Sequence, residues 1–223
     1  MTKKLFLDAI IKITAGVLLM GLLIFLPAWS LDYWQGWLLM GLLFIPMFCA
    51  GVVMMLKNPE LLKKRLNIKE KQGEQQTVVK LSGLMFVVGF VLCGLSHRFG
   101  WLQLPTWVSW AGAALFLLSY ALYAEVLREN AYLSRTVEVQ ENQKVIDTGL
   151  YGVVRHPMYA VTLVLFLSMP LILGSVIGFV VFLAYPLIIR KRILNEEEVL
   201  KEGLSGYTEY CEKVKYRLIP FVW

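Results

Sequence analysis

Two polar clusters in this chain have the residue types for chemistry. The first is Arg155-His156-Pro157-Met158-Tyr159, and the second is Arg190-Lys191-Arg192 followed by Glu196-Glu197-Glu198. Carboxylates, an aromatic ring and the backbone N–H groups of a helix start together suit a cationic or polyhydroxylated ligand. Pro157, with His156 as the residue before it, marks the first position of a helix. Arg192 and Glu196 are four apart and share one helix face, with Glu197 and Glu198 fanned around it. Each cluster also has a plain reading: a basic anchor at a helix start, and a solvated helix start balanced by ion pairs. The choice between these readings depends on whether the fold brings the two clusters together.

The stretch that separates them argues that it does. From Met158 to Ile189 there is no charge, and one straight helix of that length would run roughly 48 Å against about 30 Å of bilayer hydrocarbon. Pro170 and Gly174-Ser175 interrupt the run near its middle, so it reads as a helical hairpin with arms at 158–172 and 176–189. A hairpin returns both clusters to one membrane face.

The elements around the hairpin follow from composition. The chain has 223 residues, is 58% hydrophobic and has a mean hydropathy of +0.63, with further apolar runs at about 9–29, 36–56, 81–97 and 105–124. The predicted fold class is all-α: a polytopic transmembrane helical bundle with a C-terminal helical hairpin, a cytoplasmic catalytic face and almost no sheet. The first run is too long for a signal peptide and has no small-residue cleavage pattern before Asp32, so it reads as a retained span. The predicted organisation is an N-terminal two-span segment over 1–80 and a catalytic membrane domain over 81–223.

Charge gives the orientation. Lys3 and Lys4 precede the first span, the loop 57–80 carries Lys57, Lys63, Lys64, Arg65, Lys69, Lys71 and Lys80, and Arg128, Arg135, Lys144 and Arg155 lie between the fourth span and the hairpin. Seven more follow Ile189, while Arg98 alone lies in the opposite connections. The bias predicts that both termini, both long loops and both clusters are cytoplasmic. It is a topology signal rather than a basic stripe, so the net charge of +6 does not point to nucleic acid. Trp29, Tyr33, Trp34, Trp37, Trp101, Trp107 and Trp110 flank the opposite connections as interfacial anchors. The loop 57–80 reads as a short amphipathic helix and a flexible link, in contact with anionic headgroups. Cys49, Cys93 and Cys211 make no disulfide framework, and no metal site is expected.

At these residues the chain resembles a known family. Asp147-Thr148-Gly149-Leu150-Tyr151 leading into Arg155-His156-Pro157-Met158-Tyr159, then Arg192, Glu196-Glu197 and the tail Tyr207 to Tyr210, look like the isoprenylcysteine carboxyl methyltransferase and phospholipid methyltransferase superfamily. Those are integral membrane enzymes that use S-adenosylmethionine. The likeness covers roughly 105–223. It implies that Gln143, Lys144, Val145, Ile146, Tyr151, His156, Pro157, Met158 and Tyr159 wall a pocket for S-adenosylmethionine. It also implies that Glu196 completes the pocket with a catalytic role, and that Arg192 is catalytic and faces the substrate. Gln143 stands where the family usually has a histidine, and the tail Gly206-Tyr207-Thr208-Glu209-Tyr210 is one residue shorter than in the prenyl-protein enzymes.

The implied function is direct methyl transfer to a lipophilic acceptor bearing an isoprenoid, thiol, carboxylate or amine, with membrane lipids as the other partners. Two alternatives stand beside it. The tail Val214-Lys215-Tyr216-Arg217-Leu218-Ile219-Pro220 with Arg155-His156-Pro157 also resembles the C-terminal end of membrane sterol reductases, which bind NADPH. A non-enzymatic lipid-binding protein of the same fold is the other; it predicts an incomplete site, whereas Tyr151, His156, Tyr159, Arg192 and Glu196 are all present.

Overall fold

In a computed structural model, which describes residues 3–66, 73–130, 132–133 and 139–223, the regular elements are helices, joined by one isolated antiparallel bridge. They are α1 (Lys3–Ala28), α2 (Trp34–Lys57), α3 (Pro59–Leu66), α4 (Gly73–Phe99), α5 (Thr106–Glu129), a 3-10 turn (Gly149–Gly152), α6 (Pro157–Ile172), α7 (Val176–Phe182), α8 (Tyr185–Gly203) and α9 (Tyr207–Lys213). Four of them, α1, α2, α4 and α5, are long and apolar enough to cross a membrane. In hydrocarbon each backbone N–H must be satisfied within its own segment, which is why these apolar runs fold as unbroken helices.

The bundle has two ends. At one lie the α1–α2 and α4–α5 connections and the tip of the hairpin: Leu104 N–H donates to Gly174 O at 2.8 Å and Val176 N–H to Leu102 O at 3.2 Å, forming the bridge Gln103–Ser175. Tyr33 Oη donates to Leu173 O at 2.6 Å. The hairpin thus reaches the level of the α1–α2 and α4–α5 connections, about 24 Å from its mouth along the 16-residue α6. Gly174 turns the chain with φ +69°, a conformation that suits glycine. The predicted tryptophan anchors are exposed at this tip end, where Trp34 and Trp110 stack at 5.5 Å.

At the other end are α3, the start of α4, the mouth of the hairpin and the C-terminal segment. Lys12 Nζ donates to Leu66 O at 2.7 Å, and Gln75 Nε2 donates to Asn195 Oδ1 at 2.6 Å, tying the start of α4 to α8. Between the ends an aromatic cluster of Phe86, Phe90, Phe166, Phe182 and Tyr185 joins α4 to all three helices of the hairpin. Gly89 makes room for it: a Cβ there would stand 2.4 Å from the Phe182 ring.

Three expectations need correcting. The second arm is not one helix over 176–189; it breaks at Leu183-Ala184 and restarts at Tyr185. Pro186 is the reason, because it has no N–H to give to Phe182 O, whereas in the first turn of a new helix that donor is not required. The second polar cluster therefore lies inside α8, which runs unbroken to Gly203, and not at a helix start. α4 begins at Gly73 rather than 81, since hydropathy marks the bilayer and not the helix, and buried Gln75 and Val78 hold its polar first turns in place. The expected flexible link, with Lys69 and Lys71, and the cation Arg135 lie outside the described residues. The three cysteines are free.

Candidate active site

Pro157 opens α6 at its first position, as the sequence predicts. This leaves His156 and Arg155 on the extended segment in front of it. Their N–H groups donate to Arg217 O and Tyr216 O, both at 2.9 Å, so the C-terminal segment pairs with the mouth of the hairpin. Upstream, Gly149 has φ +55° and lies against the Glu129 carboxylate, which accepts the Leu150 N–H at 3.0 Å. Any Cβ at 149 would collide with that carboxylate, so the glycine fixes the turn that presents Tyr151.

Around this mouth is a cavity partly open to solvent. Gln143, Lys144, Val145, Ile146, Tyr151, His156, Met158, Tyr159 and Glu196 line it, as do Arg155, Asn130, Tyr207 and Tyr210. Of the residues singled out from the sequence, Pro157 and Arg192 do not. Pro157 is buried at the start of α6. Arg192 stands one turn along α8 from Glu196 and reaches the site through Tyr159: its Nε donates to Tyr159 Oη at 2.9 Å, and Tyr159 Oη donates in turn to Glu196 Oε2. Tyr159 and Glu196, from opposite arms of the hairpin, meet at one cavity wall.

Behind that wall is an ionic centre that the sequence reading missed. Glu197 is 2% exposed. Its Oε1 accepts from Arg155 Nε at 2.7 Å and lies 3.2 Å from His156 Nε2, and its Oε2 accepts from Arg217 Nε at 2.9 Å. Burial alone would raise its carboxyl, but the hydrogen bonds and charges of His156 and Arg155 outweigh burial and hold it at about 2, against an ordinary 4.5. Arg155 completes its own satisfaction by donating to Val214 O and Lys215 O at 2.8 and 3.0 Å. A sequence signal was present: on a helix with Glu196 turned to the cavity, Glu197 must point about 100° away, toward whatever packs there.

Five tyrosines line the cavity, and four of their hydroxyls are committed. Tyr132 Oη donates to Asn142 O, Tyr210 Oη to Tyr151 O and Tyr159 Oη to Glu196, while Tyr151 Oη accepts from Asn130 Nδ2. Tyr207 differs: its hydroxyl is buried with no partner among the described residues. Burial, followed by the charges of Glu197, Cys211 and Glu196 in that order, pushes that hydroxyl well above its ordinary range, so it keeps its proton. An unsatisfied buried hydroxyl costs roughly 1–3 kcal/mol, and a polar ligand group can relieve that cost.

The phospholipid methyltransferase family model matches residues 107–205, which run from the start of α5 past the end of α8 and include the whole hairpin. The chain is 29% identical over 91 residues to the Delta(14)-sterol reductase TM7SF2 of Mus musculus. That stretch is 40% of this chain and 22% of the reductase, so most of the relative has no counterpart here. Among solved structures, the eukaryotic intramembrane Ras methyltransferase ICMT (isoprenylcysteine carboxyl methyltransferase) is similar in fold. The TM-score is 0.52 at 16% identity, over 97% of this chain and 85% of that one. The family match over the hairpin and the shared membrane fold agree: residues 107–205 match the phospholipid methyltransferase family, and the chain as a whole is similar in fold to an intramembrane methyltransferase.

Proposed function

We propose that this chain transfers a methyl group from S-adenosylmethionine to a lipophilic acceptor at the cytoplasmic membrane face. The observation that carries the reading is the hydrogen-bonded chain from Arg192 through Tyr159 to Glu196, which joins the two polar clusters at the wall of one cavity. The lining suits the cofactor's chemistry. A sulfonium cation is favoured beside a carboxylate and aromatic faces, and a ribose diol and an amino-acid moiety need donors and acceptors such as the Gln143 amide and the Tyr207 hydroxyl. Gln143, Lys144, Val145, Ile146, Tyr151, His156, Met158 and Tyr159 would wall the cofactor and Glu196 would complete its site, with Pro157 fixing the start of α6 behind them. Bound there, S-adenosylmethionine supplies a methyl group already attached to a good leaving group.

The protein's share of the work is then alignment and exclusion of water. A carboxylate acceptor needs no proton removed on methylation, and the positive charge of Arg192, bonded to Tyr159 at the cavity wall, would favour it. An amine acceptor would instead require Glu196 to take up a proton. The Lys and Arg bias supports placing the cavity end, with both termini, in the cytoplasm. Residues 81–223 would form the catalytic membrane domain and 1–80 its N-terminal two-span segment.

Calorimetry on purified protein tests the site. S-adenosylmethionine binds the wild type, and Glu196→Ala and Tyr159→Ala each weaken it by about tenfold or more; unchanged affinity in both variants removes the proposal. The sterol reductase relative favours a second reading as an NADPH-dependent reductase. Incubation with each cofactor separates the two, because retention of NADPH without S-adenosylmethionine reverses the assignment.

A further inference from the structure

A second cavity lies between α1 and α2, far from the methyl-transfer site. These two helices are the least buried of the four long spans, with 17% of the central stretch of each buried inside the protein against 33% for α4 and 28% for α5. Between them is a groove of about 570 Å³, within the roughly 300–1,000 Å³ range of small-molecule sites. Its walls are apolar, with Leu18, Leu22 and Phe25 of α1 facing Met40 of α2, and at the tip end its rim is formed by Trp29 and Trp37. Such walls do not hold water, and in a bilayer the available filler is hydrocarbon.

The rim is charged on one side. Arg98, at the end of α4, holds its guanidinium 5.4 Å from the Trp29 ring centroid and 5.1 Å from that of Phe99. It is exposed, and among the described residues it is the one Lys or Arg at the tip end. Asp32, on the same end, makes no ion pair with it. An unneutralised guanidinium at headgroup level, beside the mouth of an apolar groove, complements a phosphodiester that carries a hydrocarbon chain.

We infer that this groove binds one glycerophospholipid, with an acyl chain between α1 and α2 and its phosphate against Arg98 and Trp29. The lipid fills the gap between the two least packed spans and braces them beside Tyr33, whose hydroxyl is tied to the hairpin tip. This inference does not depend on the methyltransferase reading.

Native mass spectrometry of the full chain with added dioleoylphosphatidylglycerol tests it. The wild type retains one lipid per chain, and dioleoylglycerol, which has no phosphate, is retained about tenfold less. Arg98→Gln lowers retention of the phospholipid to the same degree, and so does Gly21→Leu, which fills the groove. Lys57→Gln, a cation removed from the opposite end of the bundle, leaves retention unchanged. Thermal unfolding without added lipid confirms that the variants are folded. Unchanged retention in both Arg98→Gln and Gly21→Leu overturns the inference, as does an equal loss in Lys57→Gln. A lipid-free dimer in place of the adduct overturns it as well.

Discussion

Glu196 and Glu197 are neighbours in the chain and about 100° apart around α8, and their surroundings differ in kind. Glu197 faces the C-terminal segment, closed to solvent and bonded to Arg155 and Arg217 with His156 at 3.2 Å. Glu196 is half-buried on the cavity wall and accepts from a tyrosine that also bonds Arg192. A buried carboxylate held by Arg155, Arg217 and His156 faces away from any ligand, so Glu197 holds the mouth of the hairpin closed. Glu196, on the wall of a cavity partly open to solvent, is the one of the two that a ligand in that cavity could reach. One helix thus carries a buried structural acid and a cavity-lining acid side by side.

The largest effect expected from this difference is on stability. Glu197→Ala leaves Arg155 buried and unpaired, which costs about 3–5 kcal/mol and lowers the thermal unfolding midpoint in detergent far more than Glu196→Ala does. Equal destabilisation by the two variants would break the comparison. The same centre sets an acid limit. A carboxyl held at about 2 in the folded chain, against an ordinary 4.5, contributes stability that is fully present above 4.5 and lost as pH falls toward 2. Unfolding midpoints measured across that window should fall steeply for the wild type and more gently for Glu197→Gln, whose amide does not titrate.

Smaller effects belong to binding. Glu196→Gln should leave the unfolding midpoint near that of the wild type and weaken S-adenosylmethionine about tenfold. Tyr207→Phe removes an unsatisfied hydroxyl, so it should weaken the cofactor a few-fold without loss of stability. Tyr210→Phe gives the opposite sign on stability, because its hydroxyl donates to Tyr151 O at 2.7 Å. Calorimetry and thermal unfolding on the three variants distinguish a group that waits for a ligand from one already satisfied by the fold.

Much of this arrangement was legible in the sequence because it rests on length and charge. The four long spans, the hairpin and the meeting of the two polar clusters follow from apolar run lengths and the positions of the charges, while the pairing of Tyr159 with Glu196 in particular came from the family resemblance. What could not be read was helix phase. Three consecutive carboxylates have the same composition whichever one faces inward, and Pro186, which sets where α8 begins, sits inside an apolar run where hydropathy does not register it. Arg217, Tyr207 and Tyr210 meet the site through packing of the tail, and no local spacing encodes that contact. The start of α4 was missed for a related reason, since Gln75 is polar yet wholly buried through its bond to Asn195.

The smallest effect tests whether burial, rather than distance, separates the two kinds of ion pair. Lys213 Nζ lies 2.6 Å from Asp147 Oδ2, as close as Arg155 Nε lies to Glu197 Oε1 at 2.7 Å. The side chains of the first pair are 66% and 41% exposed, against 6% and 3% in the second. Water and salt already solvate Lys213 and Asp147, so forming the pair gains little and breaking it strands no charge. Lys213→Ala should therefore leave both the unfolding midpoint and cofactor affinity unchanged at about 0.15 M salt, with any shift visible only at low ionic strength. A drop approaching that of Glu197→Ala would mean that α9 is held by this surface contact, and the contrast drawn between neighbouring carboxylates on α8 would then need a cause other than burial.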